Sequence, residues 1–194
     1  MNIKKRVILE LLVLLLLVVT VFVGCGGNTM RPEKALNSFS KLIEKENLDD
    51  IRLTIYYLSP FILTPAPLSV DDLVYDLLDG SAEESDGEEM GYKIVVSADK
   101  LEEHINLLRQ ISNATLKPVE QKSRINARIN YVFENKKGRK IFDVAMWGRN
   151  DSIFINGLEV EGNPIFYDIL MPFLPEEEAT GLEKLIAKIF SNNE

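Results

Sequence analysis

An α+β domain, with an antiparallel sheet and helices packed on one face, is the fold class this sequence predicts, and three observations predict it. From Arg124 to Val160, apolar and polar residues alternate between turn signals, as a meander of about four antiparallel strands in the C-terminal half would. Two more alternating stretches, Ile51 to Tyr57 and Tyr92 to Val96, supply strands earlier in the chain. Segments with apolar residues three and four apart lie before, between and after them, so helices are set apart from the meander rather than interleaved with every strand.

Pro32 suits a first helical turn, and Ala35, Leu36, Phe39, Leu42 and Ile43 share one stripe, which predicts an amphipathic helix to about Glu46. Ile51, Leu53, Ile55 and Tyr57 alternate with Arg52, Thr54 and Tyr56 as a half-buried strand that stops before Pro60. The proline-punctuated stretch Pro60 to Leu68 reads as a crossing loop, and Ser69 with Asp72 resembles a capping box opening a short helix through about Leu78. Residues 79–91 hold Glu83, Glu84, Asp86, Glu88 and Glu89 among Gly and Ser with no basic residue, so a disordered acidic loop is expected there. A divalent-cation loop is the sharper alternative, because hard cations take carboxylate oxygens, but the run does not follow the Asp-x-Asp-x-Asp-Gly pattern.

Tyr92, Ile94 and Val96 mark a strand, and Asp99 with Glu102 opens a helix expected through about Ile111. His104 falls inside the arc of Leu101, Ile105, Leu107, Leu108 and Ile111, which makes it a core-edge residue. A catalytic base would need a positioned nucleophile and an orienting carboxylate, and there is no Gly-x-Ser-x-Gly elbow. In the meander, Ile125 to Phe133 alternates up to a turn at Asn135 to Gly138. Phe142, Val144 and Met146 follow, Gly148 to Asp151 turns again, and Asn156-Gly157 signals a tight hairpin. Asn163-Pro164 starts a helix that Pro172 ends. Pro175 opens the last helix, whose Leu182, Leu185, Ile186, Ile189 and Phe190 form a stripe for the sheet, or else a partner face.

The N-terminus has a different character. Lys4, Lys5 and Arg6 precede an apolar stretch, Val7 to Val23, broken only by Glu10 and Thr20. This is an export leader at the lower limit of a membrane-spanning helix, and its basic flank places everything after Val23 outside the cytoplasm whether it is cleaved or kept. The run Phe22-Val23-Gly24-Cys25-Gly26-Gly27 resembles the lipobox of bacterial lipoproteins, with Phe22 where Leu is usual. That resemblance implies cleavage before Cys25 and lipid attachment on its thiol, with palmitate-type acyl chains anchoring the protein to the extracytoplasmic face of the cell membrane. The expected organisation is a signal peptide at 1–24, a lipidated tether at 25–30 and a single α+β domain at 31–194. The plainer alternative makes Cys25 a small residue at the end of a membrane helix.

Composition narrows the function. With one His and one Cys, no zinc site of the usual nitrogen and sulfur clusters can form, and no cofactor is implied. Loss of residues 1–24 leaves 19 Lys and Arg against 29 Asp and Glu, a net charge of about −10, which argues against nucleic acid and anionic headgroups as partners. The mature sequence, with Asp143-Val144-Ala145-Met146-Trp147-Gly148 and the run Asn163 to Pro175, looks like small secreted lipoproteins of gut-type bacteria, a likeness that implies nothing about individual residues. The expected function is a membrane-anchored, non-catalytic binding or interaction module whose partner is an unknown envelope protein or glycan. Tyr131 and Trp147 are candidates for a sugar platform, although strand aromatics are usually core. The alternative is a cell-envelope hydrolase using two carboxylates about 5 to 9.5 Å apart, with Asp143 as one of them. Alternation sets Asp143 opposite Phe142 and Val144, toward solvent.

Overall fold

The computed structural model describes residues 31–45, 48–78, 91–119, 123–147 and 152–191. Its elements are α1 (Pro32–Glu44), a short 3-10 turn (Leu48–Asp50), β1 (Ile51–Leu58), α2 (Val70–Leu78), β2 (Gly91–Val96), α3 (Ala98–Glu103) and α4 (Ile105–Ser112). They continue with β3 (Ile129–Asn135), β4 (Lys140–Met146), β5 (Ser152–Ile155), β6 (Leu158–Glu161), α5 (Ile165–Asp168) and α6 (Glu176–Ser191). The strands form one six-stranded sheet in the order β2-β1-β3-β4-β5-β6. Every neighbouring pair is antiparallel, so the α+β class and the C-terminal meander stand as the alternation predicts.

Because side chains alternate faces along a strand, the register lines up one apolar row across the whole sheet. Ile94, Ile55, Tyr131, Val144, Ile155 and Leu158 face one another in turn. The helices cover this face. Phe39 of α1 sits 4.6 Å from the ring of Phe133 and 5.5 Å from that of Phe142, and Leu101, Leu108, Ile111, Phe166, Tyr167 and Leu182 are fully buried around them. The stripe of the C-terminal helix joins this core, with Leu182 and Ile186 buried and Phe190 edge-on to Tyr167 of α5. Among the described helices only α2 lies elsewhere: Leu73 packs with Leu58 and Ala127 in a separate small cluster, on the face that Leu58 and Tyr56 share.

Local chemistry explains the boundaries. Ser69 and Asp72 form the expected reciprocal cap of α2: the Ser69 N–H donates to Asp72 Oδ2 at 3.0 Å and the Asp72 N–H to Ser69 Oγ at 3.1 Å. Those bonds hold the Asp72 carboxyl below its usual range. Between β5 and β6, Asn156 and Gly157 take φ of 48° and 77°, the left-handed pair that a two-residue hairpin requires.

Three expected elements differ. The helix expected to run unbroken from Asp99 to Ile111 breaks at His104, whose φ of −116° leaves the helical region, with its N–H turned to Leu101 O. The strand expected from Ile125 begins at Ile129, because Asn126 and Ala127 bond to the crossing loop: Asn126 Oδ1 accepts the Leu68 N–H and Leu68 O accepts the Ala127 N–H. The helix expected from Asn163 to Met171 is the short α5 followed by successive turns. Beyond β6, Lys117 and Pro118 run along the strand's outer side, with the Glu161 N–H donating to Lys117 O at 2.8 Å and Pro118 bridging Val160.

Candidate functional site

The sheet places Tyr57 and Tyr92 opposite each other at the end of the β1–β2 pair, with ring centroids 6.3 Å apart. Tyr57 belongs to the apolar alternation of β1, so its ring is buried under the helices while its hydroxyl reaches the layer's edge. There α6 begins. Pro175 precedes its first turn, Leu182 and Ile186 seat it on the core, and Glu178 then comes over the end of β1. The Tyr57 hydroxyl donates to Glu178 Oε2 at 2.7 Å and accepts a hydrogen bond from the Ser59 hydroxyl. Phe61, just past β1, lies across Gly181, where a Cβ would come within 3.1 Å of Phe61 Cε2. Glycine inside a helix is unfavourable, and here it makes room for that ring.

Between these elements is a cleft of about 820 Å³, walled by Phe61 and Tyr92 on one side and by Glu176, Glu177, Glu178 and Lys184 on the other. The glutamates complement the positive end of the α6 dipole. Burial, followed by the hydrogen bond and negative charge of Glu178, raises the Tyr57 hydroxyl above its ordinary range; the Ser59 bond only partly offsets this. Tyr57 therefore stays a neutral donor that orients Glu178, and it is too weakly acidic to supply a phenolate base near neutral pH. What the cleft can offer a ligand is carboxylate acceptors and aromatic surface.

A smaller recess of about 430 Å³ lies on the other side of the α6 start and shares Glu176 and Thr180 with the first cleft. Asp168 and Glu183 line it, and burial, reinforced by the charge of Glu183, raises the Asp168 carboxyl above its usual range. Among the described residues, no three His, Cys, Asp or Glu side chains group as a metal ion would need.

The residues singled out by sequence are dispersed. Cys25 and residues 79–90 of the acidic loop lie outside the described residues. His104 is half-buried at the core edge, edge-on to Phe173 with ring centroids 5.3 Å apart, as its place on the apolar arc suggests. Asp143 is corrected. It does lie on the face opposite Phe142 and Val144, but it is 7% exposed rather than solvated. Lys140 Nζ stands 2.8 Å from Asp143 Oδ1, and Asn156 binds its backbone through both N–H and C=O, so Asp143 ties the β5–β6 turn to β4 and lines neither cleft. The sugar platform is also corrected: Tyr131 is fully enclosed in the core and offers no ring to solvent beside the half-buried Trp147.

Sequence reasoning missed Tyr57, Glu178, Asp168 and Glu183. Tyr57 and Glu178 are 121 residues apart, and each has an ordinary local explanation, strand core for one and helix-start charge for the other. The second tyrosine in register and the glycine one turn into α6 are the signals that could have joined them. No protein-family model, no curated protein and no solved structure matches this chain. Fold and cleft together define an acidic α+β domain with an aromatic and carboxylate recess at a helix start.

Proposed function

We propose that this protein is a membrane-anchored, extracytoplasmic lipoprotein whose domain is a non-catalytic binding or interaction module. The address rests on the basic and apolar leader and on Cys25 at a small-residue junction. No helix among the described residues is long and apolar enough to cross a membrane. The binding role rests on one observation: the cleft at the start of α6 sets Phe61 and Tyr92 against Glu178, which Tyr57 orients. Its partner is an envelope protein or a glycan. Metabolic labelling with palmitate should mark the wild-type chain and be lost in Cys25→Ala; equal labelling of both removes the lipoprotein. Cross-linking in intact envelopes should capture a reproducible partner that is lost when Glu178 is replaced by Lys, and capture unaffected by that change removes the cleft from the binding role.

A second reading, a cell-envelope hydrolase using carboxylates, is supported by Asp168, whose raised carboxyl beside Glu183 is the pairing that acid–base chemistry uses. Turnover of a cell-wall polymer by the purified protein, abolished in Asp168→Asn, would establish it; retained turnover in that variant would dismiss the pair.

A further inference from the structure

We infer that the crossing loop from Pro60 to Leu68 is the surface with which this protein meets the lipid bilayer, its tip residue Leu63 entering the interfacial layer. The inference rests on the lipoprotein reading above. Four of the six large apolar side chains left exposed among the described residues come from one stretch of chain: Phe61, Leu63, Tyr75 and Leu78. Leu63 is the extreme, at 84% exposed, and Phe61 is 53% exposed. Their loop is also free of charge. From Leu53 to Val70 the sequence has no acidic or basic residue, in a protein where 27% of residues are charged.

The loop is a built structure, so the exposure of Leu63 is a fixed display. Ile62 is packed against the small cluster around Leu58 and Leu73, and its N–H donates to Ser59 O at 3.1 Å. Buried Arg128 donates from Nη2 to Thr64 Oγ1 at 2.6 Å, and Thr64 in turn donates to Ala66 O at 2.8 Å. Pro65 and Pro67 stiffen the return to Leu68, whose N–H is held by Asn126. A loop that needed only to cross from β1 to α2 could place a polar residue at position 63.

The length of the tether favours the bilayer as occupant. Arg31 is the first described residue, and the six residue steps from Cys25 to Arg31 span at most about 22 Å, so an acylated Cys25 keeps the domain beside the membrane. Charge favours this side: the mature chain carries about ten net negative charges, and Leu63 stands on a loop whose own residues carry none, while Phe61 stays over Gly181 beside the α6 glutamates.

A single thiol reports the outcome. Acylation consumes the thiol of Cys25, the one cysteine of the chain, so full-length Leu63→Cys offers one site for an environment-sensitive fluorophore, and Asn113→Cys, exposed at the end of α4, offers a control. Both are reconstituted in phosphatidylcholine vesicles with nitroxide-labelled acyl chains. The label at 63 should shift to shorter wavelength and lose intensity to the nitroxides, while the label at 113 stays water-like. A water-like label at 63, on a protein whose wild-type form takes up no dye, overturns the docking surface and leaves the anchor intact. Dye uptake by the wild-type Cys25 overturns the anchor and this inference with it. A label at 63 that ignores the nitroxides but shifts when envelope protein is added overturns the lipid assignment in favour of a protein partner.

Discussion

Replacing Tyr57 with Phe deletes one oxygen and leaves the buried ring in place, so it isolates the bond to Glu178. A hydrogen bond to a charged group contributes about 1.5–3 kcal/mol, and because Glu178 keeps part of its access to water the value falls to the bottom of that range or just below it, about 1–2 kcal/mol at neutral pH. Alkaline pH should then erase the difference. Burial and the Glu178 carboxylate disfavour the phenolate, so the folded state keeps the Tyr57 proton while the unfolded chain sheds it near pH 10. The stability is fully present below pH 10 and falls as pH rises, by up to about 2.7 kcal/mol at pH 12 for an unscreened pair, and by about 1–2 kcal/mol here, where the partner Glu178 is partly exposed. Urea unfolding of wild type and variant across pH 7 to 12 should therefore show a gap that narrows toward zero. Coincident curves at pH 7, or a gap that stays constant to pH 12, would refute the Tyr57–Glu178 bond and the orientation of Glu178 derived from it.

Phe39→Ala should cost about 3–5 kcal/mol in the same unfolding measurement, since it empties the space between the Phe133 and Phe142 rings; a loss under 1 kcal/mol would mean α1 is not seated there. Gly157→Ala should cost about 1–2 kcal/mol from backbone strain alone, because φ is 77° and a Cβ would meet open space; stability equal to wild type would argue against the tight hairpin. Asp168→Asn should be as stable as wild type or more so at neutral pH. The raised Asp168 carboxyl lends stability that is present below its unfolded pKa and lost as pH climbs through its folded one, so below pH 4 any advantage of the variant should vanish; a variant markedly less stable at pH 7 would contradict the burial of Asp168 beside Glu183.

Much of the fold was legible wherever one face of an element is buried and its period is regular. Ile51 to Tyr57, Phe142 to Met146 and the Asn156-Gly157 turn declare themselves because alternation and positive φ are local properties. What stayed hidden depends on long-range partners. The strand at Ile125 looks continuous until Leu68, 58 residues away in sequence from Asn126, takes up its hydrogen-bonding groups. Asp143 looks solvated because alternation reports the face and says nothing of what stands on that face; Lys140 and Asn156 decide its burial. The cleft was invisible for the same reason, since Tyr57 and Glu178 meet only once β1 and α6 are layered.

Lys117 and Pro118 along β6 have a consequence for self-assembly. Open-ended stacking of sheets into a fibre needs two receptive margins on every copy, one to offer and one to accept. Here the β6 margin is already occupied by the protein's own backbone, with a proline that has no N–H to donate, and β2 is left as the outermost strand at the other end among the described residues. Molecules crowded together could therefore join β2 to β2 as closed pairs, and the growth would stop at two.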